Sequence, residues 1–231
     1  MVSHTTFKQG VQECIPTLLG YAGIGFSFGV VGVASGFGLL EIVMLSMLVY
    51  AGAAQFIIVA LMVVHTPVWI IVLTTLIVNS RMFLLSMTLA NNFKQESLLH
   101  RVGVGALLTD ETFAVAITLH SKGLPITRNW MYGLNLTAYL FWIFVSILGA
   151  LLGNFFKNPD AFGLDYAIIA MFVFLTIAQF EGITKSKMRT YLLLMLIVIV
   201  MMLSLSMVMS SYLAILFAST ITAAIGMVID R

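Results

Sequence analysis

The chain has 231 residues, of which 61% are hydrophobic and only 9% charged, and its mean hydropathy is +1.10. This composition lies far outside that of soluble domains and predicts an all-α integral membrane protein, a polytopic transmembrane helical bundle. The net charge of +2 is too small to indicate nucleic-acid binding. The single cysteine, Cys14, excludes an intrachain disulfide and a cysteine-based metal site.

Apolar segments of helix-spanning length follow one another along most of the chain. They lie near 15–35, 39–64, 67–89, 102–120, 130–153, 164–181, 190–209 and 212–229. Several are barely long enough for a hydrocarbon core that needs about 20 helical residues. We therefore expect about seven to eight membrane segments, of which one or two are broken or re-entrant. The loops are short, so residues 1–231 are expected to form a single membrane transport domain.

The basic residues between the segments predict an orientation. With eight spans, one side of the membrane would carry Lys8, Lys122, Arg128, Lys185, Lys187, Arg189 and Arg231. The other side would carry Lys94, Arg101 and Lys157. Because basic loops are retained in the cytoplasm, both termini are expected there.

An internal repeat is suggested by "GLLEIVMLSMLVYAGAAQF" at 38–56 and "GLDYAIIAMFVFLTIAQF" at 163–180. Each stretch opens with Gly-Leu and an early acid and closes on Ala-Gln-Phe. Transporters are often built from such repeats, which are parallel or inverted according to the number of spans between them. Chance similarity between two apolar helices explains the echo equally well.

The first segment contains four glycines at helical spacing, Gly25, Gly29, Gly32 and Gly36. On one helix face they would let a second backbone approach closely, which is the default interpretation of such a stripe. The alternative is a broken helix whose exposed amides bind a substrate carboxylate.

Three polar residues lie within the next two segments. Gln55 follows the small residues of "YAGAAQF" and either contacts a ligand or forms a hydrogen bond across the bundle. Asn79 and Arg81 lie inside "IVNSRMF". An arginine at this depth costs roughly 2.5–3.5 kcal/mol on insertion scales, which predicts a partner for it. The alternative is a side chain that extends to the nearer interface and serves only as an anchor.

Two adjacent acids, Asp110 and Glu111, interrupt the apolar stretch "VGVGALLTDETFAVAITL" at 102–119. Thr109 followed by two acids is a helix-start pattern, so 102–108 and 110–120 are predicted to be separate pieces. A helix that starts at membrane depth requires protein or a wet cavity around its free backbone groups. One acid is then a charge partner for Arg81 or a substrate ammonium group, and the other is a candidate proton carrier. An ordinary helix start at the membrane interface is the alternative.

Enzyme chemistry is not predicted. The four histidines lie at segment ends or in loops, without the HExxH spacing of a metalloprotease and without a base at depth for serine hydrolysis. We therefore expect no catalytic residues, no metal site and no cofactor.

Four short motifs carry a resemblance to a known family: "YAGAAQF" at 50–56, "NSR" at 79–81, "LLTDETFA" at 107–114 and "NWMYG" at 129–133. In these stretches, and in the glycine-rich segment after Pro16, the chain resembles the AzlC family, the large subunits of bacterial branched-chain amino acid exporters. Met82 departs from the family pattern, which has histidine after the arginine. A proton or substrate role for that position is therefore in doubt in this chain.

The resemblance implies a secondary exporter of leucine, isoleucine, valine and sometimes methionine in the bacterial inner membrane. It also implies a proton gradient or membrane potential as the driving force and a small AzlD-type membrane subunit as partner. A zwitterion needs a carboxylate site, which the glycine-rich helix or Arg81 could supply, and an ammonium site at Asp110 or Glu111. The alternatives are a channel or assembly subunit without carrier activity, and a permease component for another small zwitterion.

Overall fold

The computed structural model describes residues 6–153, 173, 185–209 and 211–229, and helix is the only regular secondary structure in these ranges. The helices are α1 (Phe7–Ala34), α2 (Leu39–Leu48), α3 (Gly52–Val63), α4 (Val68–Ala90), α5 (Leu98–Ala106), α6 (Asp110–Ser121), α7 (Arg128–Gly153), α8 (Lys185–Ser206) and α9 (Ser211–Ile229). A single 3-10 turn, Asn91–Phe93, follows α4.

Four helices of the described ranges are long and apolar enough to cross a membrane: Phe7–Ala34, Val68–Phe93, Arg128–Gly153 and Lys187–Ser206. The bent pair α5–α6 would be a fifth. Shorter apolar helices are Leu39–Leu48, Gly52–Val63 and Phe217–Met227. The described chain therefore has four to five candidate spans, not clearly the seven to eight predicted. The predicted segment 164–181 and the second copy of the suggested repeat lie outside the described residues.

Two compact units make up the chain. The first comprises residues 1–66 and 78–169, and the second comprises residues 67–77 and 170–231. The helix α4 is therefore divided: residues 68–77 belong to the second unit and residues 78–90 to the first. The prediction of one transport domain stays a prediction.

The first unit is organised around α1 and α7, which pack in parallel with their backbones in contact. A Cβ atom at Gly10 would fall onto the carbonyl of Trp130, and one at Gly29 onto the carbonyl of Ser146. On α7, a Cβ at Gly149 would collide with the carbonyl of Phe26. This is the close helix packing that small residues permit in membrane proteins.

The predicted glycine stripe is part of this interface, and α1 is one unbroken helix. Gly25 and Gly29 face α7, whereas Gly32 faces Ile42 of α2. Gly36 lies beyond the end of the helix with φ +87°, so it does not continue the stripe. The alternative of a broken first segment with exposed amides is therefore wrong, because the amides of these three helical glycines lie within α1.

The predicted segment 39–64 is two helices instead of one span. The chain breaks at residues 49–51, where Tyr50 has φ 38° and Ala51 is extended. At this break the carbonyl of Met47 accepts a hydrogen bond from the hydroxyl of Tyr139 on α7, at 3.0 Å. Farther along, Phe56 of α3 packs edge-to-face on Phe28 of α1.

The pair α5–α6 bends by 116°, and contacts between the start of α5 and the start of α7 place its two outer ends at the same end of the first unit. Glu96, just before α5, accepts a hydrogen bond from Arg128 at the start of α7, with 3.0 Å between Oε2 and Nη1. Since α7 begins beside the N-terminal end of α1, this end also holds Lys94, Arg101 and Lys122, and we call it the basic face. The predicted placement of Lys94 and Arg101 on the side of the membrane opposite Lys122 and Arg128 is therefore wrong. The prediction failed because hydropathy does not distinguish a helix pair that crosses the membrane from one that turns back.

The second unit contains α8 and α9, which pack against each other. A Cβ at Gly226 would lie 3.0 Å from the side chain of Leu194, and Thr222 donates to the sulfur of Met201 at 3.9 Å. Ala218 and Thr222 are buried, so the small residues of α9 form a packing surface.

Candidate functional site

The bend between α5 and α6 places a helix start inside the apolar body of the first unit. Thr109 is the N-cap of α6, and its hydroxyl accepts a hydrogen bond from the backbone N–H of Thr112 at 3.3 Å. The hydroxyl of Thr112 in turn accepts from the N–H of Thr109 at 2.9 Å. This reciprocal cap confirms the predicted helix start and satisfies two backbone donors that would otherwise be costly to bury.

Asp110 occupies the first turn of α6 and pairs with Arg81 of α4. The distance between Arg81 Nη2 and Asp110 Oδ2 is 2.9 Å, and the two side chains are 32% and 30% exposed. The carboxylate is also favoured by the positive end of the helix dipole. Arg81 therefore has the partner that its depth in the sequence predicts.

Glu111 points to a different partner, as expected for neighbouring residues that lie about 100° apart on a helix. Tyr21 of α1 donates a hydrogen bond to Glu111 Oε2 at 3.1 Å, and its hydroxyl lies 2.7 Å from the hydroxyl of Thr109. Tyr21 is 4% exposed. The buried hydroxyl of Tyr21 on α1 thus contacts both Thr109, the N-cap of α6, and Glu111, the second acid of that helix.

The polar contacts continue from Tyr21 to the start of α3. The Tyr21 ring packs edge-to-face on Trp142 of α7, with ring centres 5.1 Å apart. Trp142 Nε1 donates to Gln55 Oε1 at 2.9 Å, and Gln55 Nε2 donates to the hydroxyl of Ser46 at 3.4 Å. Gln55 is fully buried, so it forms a hydrogen bond across the bundle, which is one of the two alternatives the sequence left open.

The structure brings four of the predicted site residues together, namely Arg81, Thr109, Asp110 and Glu111, and links Gln55 to them through two aromatic rings. Asn79 lies two residues before Arg81 on α4 and is not part of these contacts, and its Oδ1 has no hydrogen-bond partner in the described residues. The predicted glycines serve the α1–α7 and α1–α2 interfaces instead.

Sequence reasoning missed Tyr21, Trp142 and the buried amide Asn135, whose Nδ2 donates to the carbonyl of Val104 at 3.1 Å. A signal for Asn135 existed, because an amide inside an apolar helix is expected to form a hydrogen bond to another segment. For Tyr21 and Trp142 no signal was available, since aromatic residues in apolar segments are common.

The site places one positive side chain, Arg81, next to two acids of α6. Asp110 pairs with Arg81, and Glu111 is a second carboxylate outside that pair. The Arg81 side chain keeps donors beyond the one used by Asp110, and its Nε has no partner among the described residues. Glu111 accepts a hydrogen bond from a neutral hydroxyl and forms no ion pair in the described part of the chain. Within that part, no group of three histidine, cysteine or acidic side chains could hold a metal ion.

These features define an all-helical membrane protein with a charged site built at a helix start inside its apolar body. A family model described as "AzlC protein" matches residues 16–156, which is more than half of the chain and covers the whole site. The chain belongs to the AzlC family.

Curated relatives cover about three quarters of the chain. An "Uncharacterized membrane protein" of Helicobacter pylori is 29% identical over 181 residues, 78% of each chain. The "Inner membrane protein YgaZ" of Escherichia coli is 30% identical over 182 residues, 76% of this chain and 74% of the relative. The "Branched-chain amino acid transport protein AzlC" of Bacillus subtilis is 22% identical over 178 residues, 75% of this chain and 67% of the relative. No solved structure matches the chain.

Proposed function

We propose that this protein is the large subunit of a secondary-active exporter of branched-chain amino acids. The observation that carries the proposal is the ion pair of Arg81 and Asp110, one third exposed, with Glu111 as a second acid on the same helix turn. The name of the Bacillus subtilis relative supports the substrate class.

A zwitterion can bind at such a site by exchanging partners with the ion pair. Its carboxylate would replace Asp110 on the Arg81 guanidinium, and its ammonium group would bind the released Asp110. Arg81 and Asp110 would then each keep a partner of opposite charge, which lowers the cost of separating them in an apolar environment. A neutral or singly charged solute would leave one of the two charges without a partner.

Glu111 is the candidate for coupling transport to the proton gradient. It is the acid that makes no ion pair in the described residues, so its protonation changes the charge of the site without breaking the Arg81–Asp110 contact. Tyr21 can reorient its hydroxyl to accept or donate, which allows it to contact either form of the carboxyl group.

The basic face supports a proposed orientation. Lys8, Lys94, Arg101, Lys122 and Arg128 all belong to this end of the first unit, whereas the α1–α2 connection at 35–38 contains no basic residue. By the positive-inside rule the basic face is cytoplasmic. We further propose the bacterial inner membrane as location and a small AzlD-type subunit as partner, both of which rest on the family resemblance.

Leucine release from loaded cells tests the proposal. Cells that lack their own exporters are loaded with a leucine-containing dipeptide, and release is measured with this chain alone and with an AzlD-type partner. We expect saturable release that valine competes for and that Glu111→Gln uncouples from the proton gradient. Release that does not saturate and survives neutralisation of both acids would identify a channel. Absence of release, with both chains present in the membrane, would contradict the proposal.

A further inference from the structure

The break between α2 and α3 contains a buried hydroxyl group without a hydrogen-bond partner. Tyr50 is 8% exposed, and its hydroxyl oxygen forms no hydrogen bond in the described residues. Its backbone φ of 38° lies in the left-handed region, which an aromatic residue rarely adopts. An unpaired buried hydroxyl and a strained backbone both cost free energy, and strained residues cluster at functional positions. Packing alone therefore does not account for a tyrosine at this position.

The Tyr50 hydroxyl is directed toward the residues that contact the start of α6. It faces the hydroxyl of Tyr21 without reaching hydrogen-bond geometry, and it interacts electrostatically with Glu111. Tyr50 and Tyr21 belong to one buried cluster, which also contains Leu108 at the bend before α6. The break in one segment thus lies beside the break in another.

The titratable and charged groups around Glu111 and Tyr50 come from five parts of the first unit. They are Cys14 and Tyr21 of α1, Tyr50 at the break, Asp110 of α6, Tyr139 of α7 and, through Asp110, Arg81 of α4. Arg81 is engaged by Asp110, and the Tyr139 hydroxyl donates to the carbonyl of Met47. The hydroxyl of Tyr50 is therefore the one in this group that no described hydrogen bond uses.

Protonation of Glu111 changes the number of donors and acceptors around Tyr21. Tyr21 has a single proton, which it donates to Glu111 Oε2, so the hydroxyl of Thr109, 2.7 Å away, donates to Tyr21. A protonated Glu111 adds one O–H donor to these oxygens. If Glu111 donates that hydrogen bond to Tyr21, Tyr21 needs another acceptor for its own proton. The oxygen of Tyr50 has unused lone pairs and faces Tyr21.

We propose that Tyr50 is a positioning residue for the protonated form of Glu111. When Glu111 takes up a proton, Tyr21 turns its O–H from the carboxyl group to the oxygen of Tyr50, and the neutral acid is stabilised inside the apolar body. The inference rests on the proposed role of Glu111 in proton coupling and adds a residue that favours its protonated state. The ionised state does not use the Tyr50 hydroxyl.

Infrared titration of the purified protein in lipid vesicles tests this inference. The C=O stretching band of a protonated carboxyl group is assigned to Glu111 by its loss in Glu111→Gln, and its amplitude is followed as the pH is lowered. Tyr50→Phe keeps the ring that packs on Tyr139 and loses no hydrogen bond of the ionised state, so it should fold. Because the protonated form alone loses a hydrogen bond, the variant should bind the proton about three- to tenfold more weakly. The midpoint of the band should therefore move about 0.5–1 pH unit lower.

Tyr139→Phe is the matched control, since it removes a phenol hydroxyl at the same break whose hydrogen bond goes to Met47 instead of toward Tyr21. Its midpoint should equal that of the unmodified chain. An unchanged midpoint in Tyr50→Phe, or the same shift in both tyrosine variants, would overturn the inference. It would also be overturned if no carboxyl band disappeared in Glu111→Gln. The titration needs no substrate, so its result is separate from that of the proposed function, which fails when the unmodified chain with its partner releases no branched-chain amino acid.

Discussion

Breaking the Arg81–Asp110 ion pair from either side should destabilise the protein, whereas removing both charges should restore stability but not transport. At 2.9 Å, two unit charges in a medium of effective dielectric 20 attract each other by about 6 kcal/mol. The cost of removing the two charges from water offsets much of this attraction, because the two side chains are only 32% and 30% exposed. The net coupling should then lie between the value of an exposed pair, about 0.2–1 kcal/mol, and the loss of roughly 3–5 kcal/mol when a buried pair is broken.

A double-mutant cycle measures this coupling directly. The variants are Arg81→Met, Asp110→Asn and the combination, and the assay is reversible unfolding in mixed micelles together with leucine release. We expect a coupling energy of about 1–3 kcal/mol and no transport by any of the three variants. A coupling below about 0.3 kcal/mol would refute the geometric argument. Full transport by the double variant would reduce the pair to a structural contact.

Three further predictions concern packing, topology and the helix start. Gly29→Ala should destabilise the protein by at least about 1–3 kcal/mol, because its Cβ would collide with a carbonyl of α7. The control Gly20→Ala, where a Cβ meets no atom within 4 Å, should be neutral or stabilising. Equal melting temperatures of the two variants would contradict the backbone contact between α1 and α7. Cysteines at Glu96 and Arg128 should be joined by a short bifunctional thiol reagent, while residues on opposite faces would be separated by about 30 Å and would not react together. Thr109→Ala should cost about 0.5–2 kcal/mol of stability by loss of the cap and Thr109→Ser should recover most of it, so that equal losses in both variants would exclude a capping role.

Local signals in the sequence predicted the helix start at Thr109 and a partner for Arg81, whereas a role of these residues in transport stays a prediction. Thr109 followed by two acids is a helix start wherever it occurs, and the structure has that cap. An unpaired arginine inside an apolar segment costs free energy on insertion, so Arg81 was expected to have an acidic partner. Few acids lie inside the apolar segments, and Asp110 was therefore among the candidates. Tyr21 could not be predicted, because its contact with Glu111 joins residues 90 positions apart.

The course of the chain through the membrane was harder to predict than the site. Segment 39–64 is uniformly apolar, and the positive φ of Tyr50 that breaks it has no composition signal. The return of α5–α6 to the basic face is also invisible in hydropathy, since a helix pair that turns back needs the same apolar side chains as one that crosses. In the described residues, contacts such as that of Glu96 with Arg128 distinguish the two.

The backbone contact between α1 and α7 limits how a carrier built on this frame can move. Side chains usually separate the backbones of two packed helices. Here glycines on both helices bring backbone carbonyl groups of each helix into direct contact with the backbone of the other. Sliding by a fraction of a turn would drive these groups together, so α1 and α7 must move as one rigid body. In a carrier of the proposed kind, opening and closing of the site would then fall to residues 78–90 of α4 and to the bent pair α5–α6.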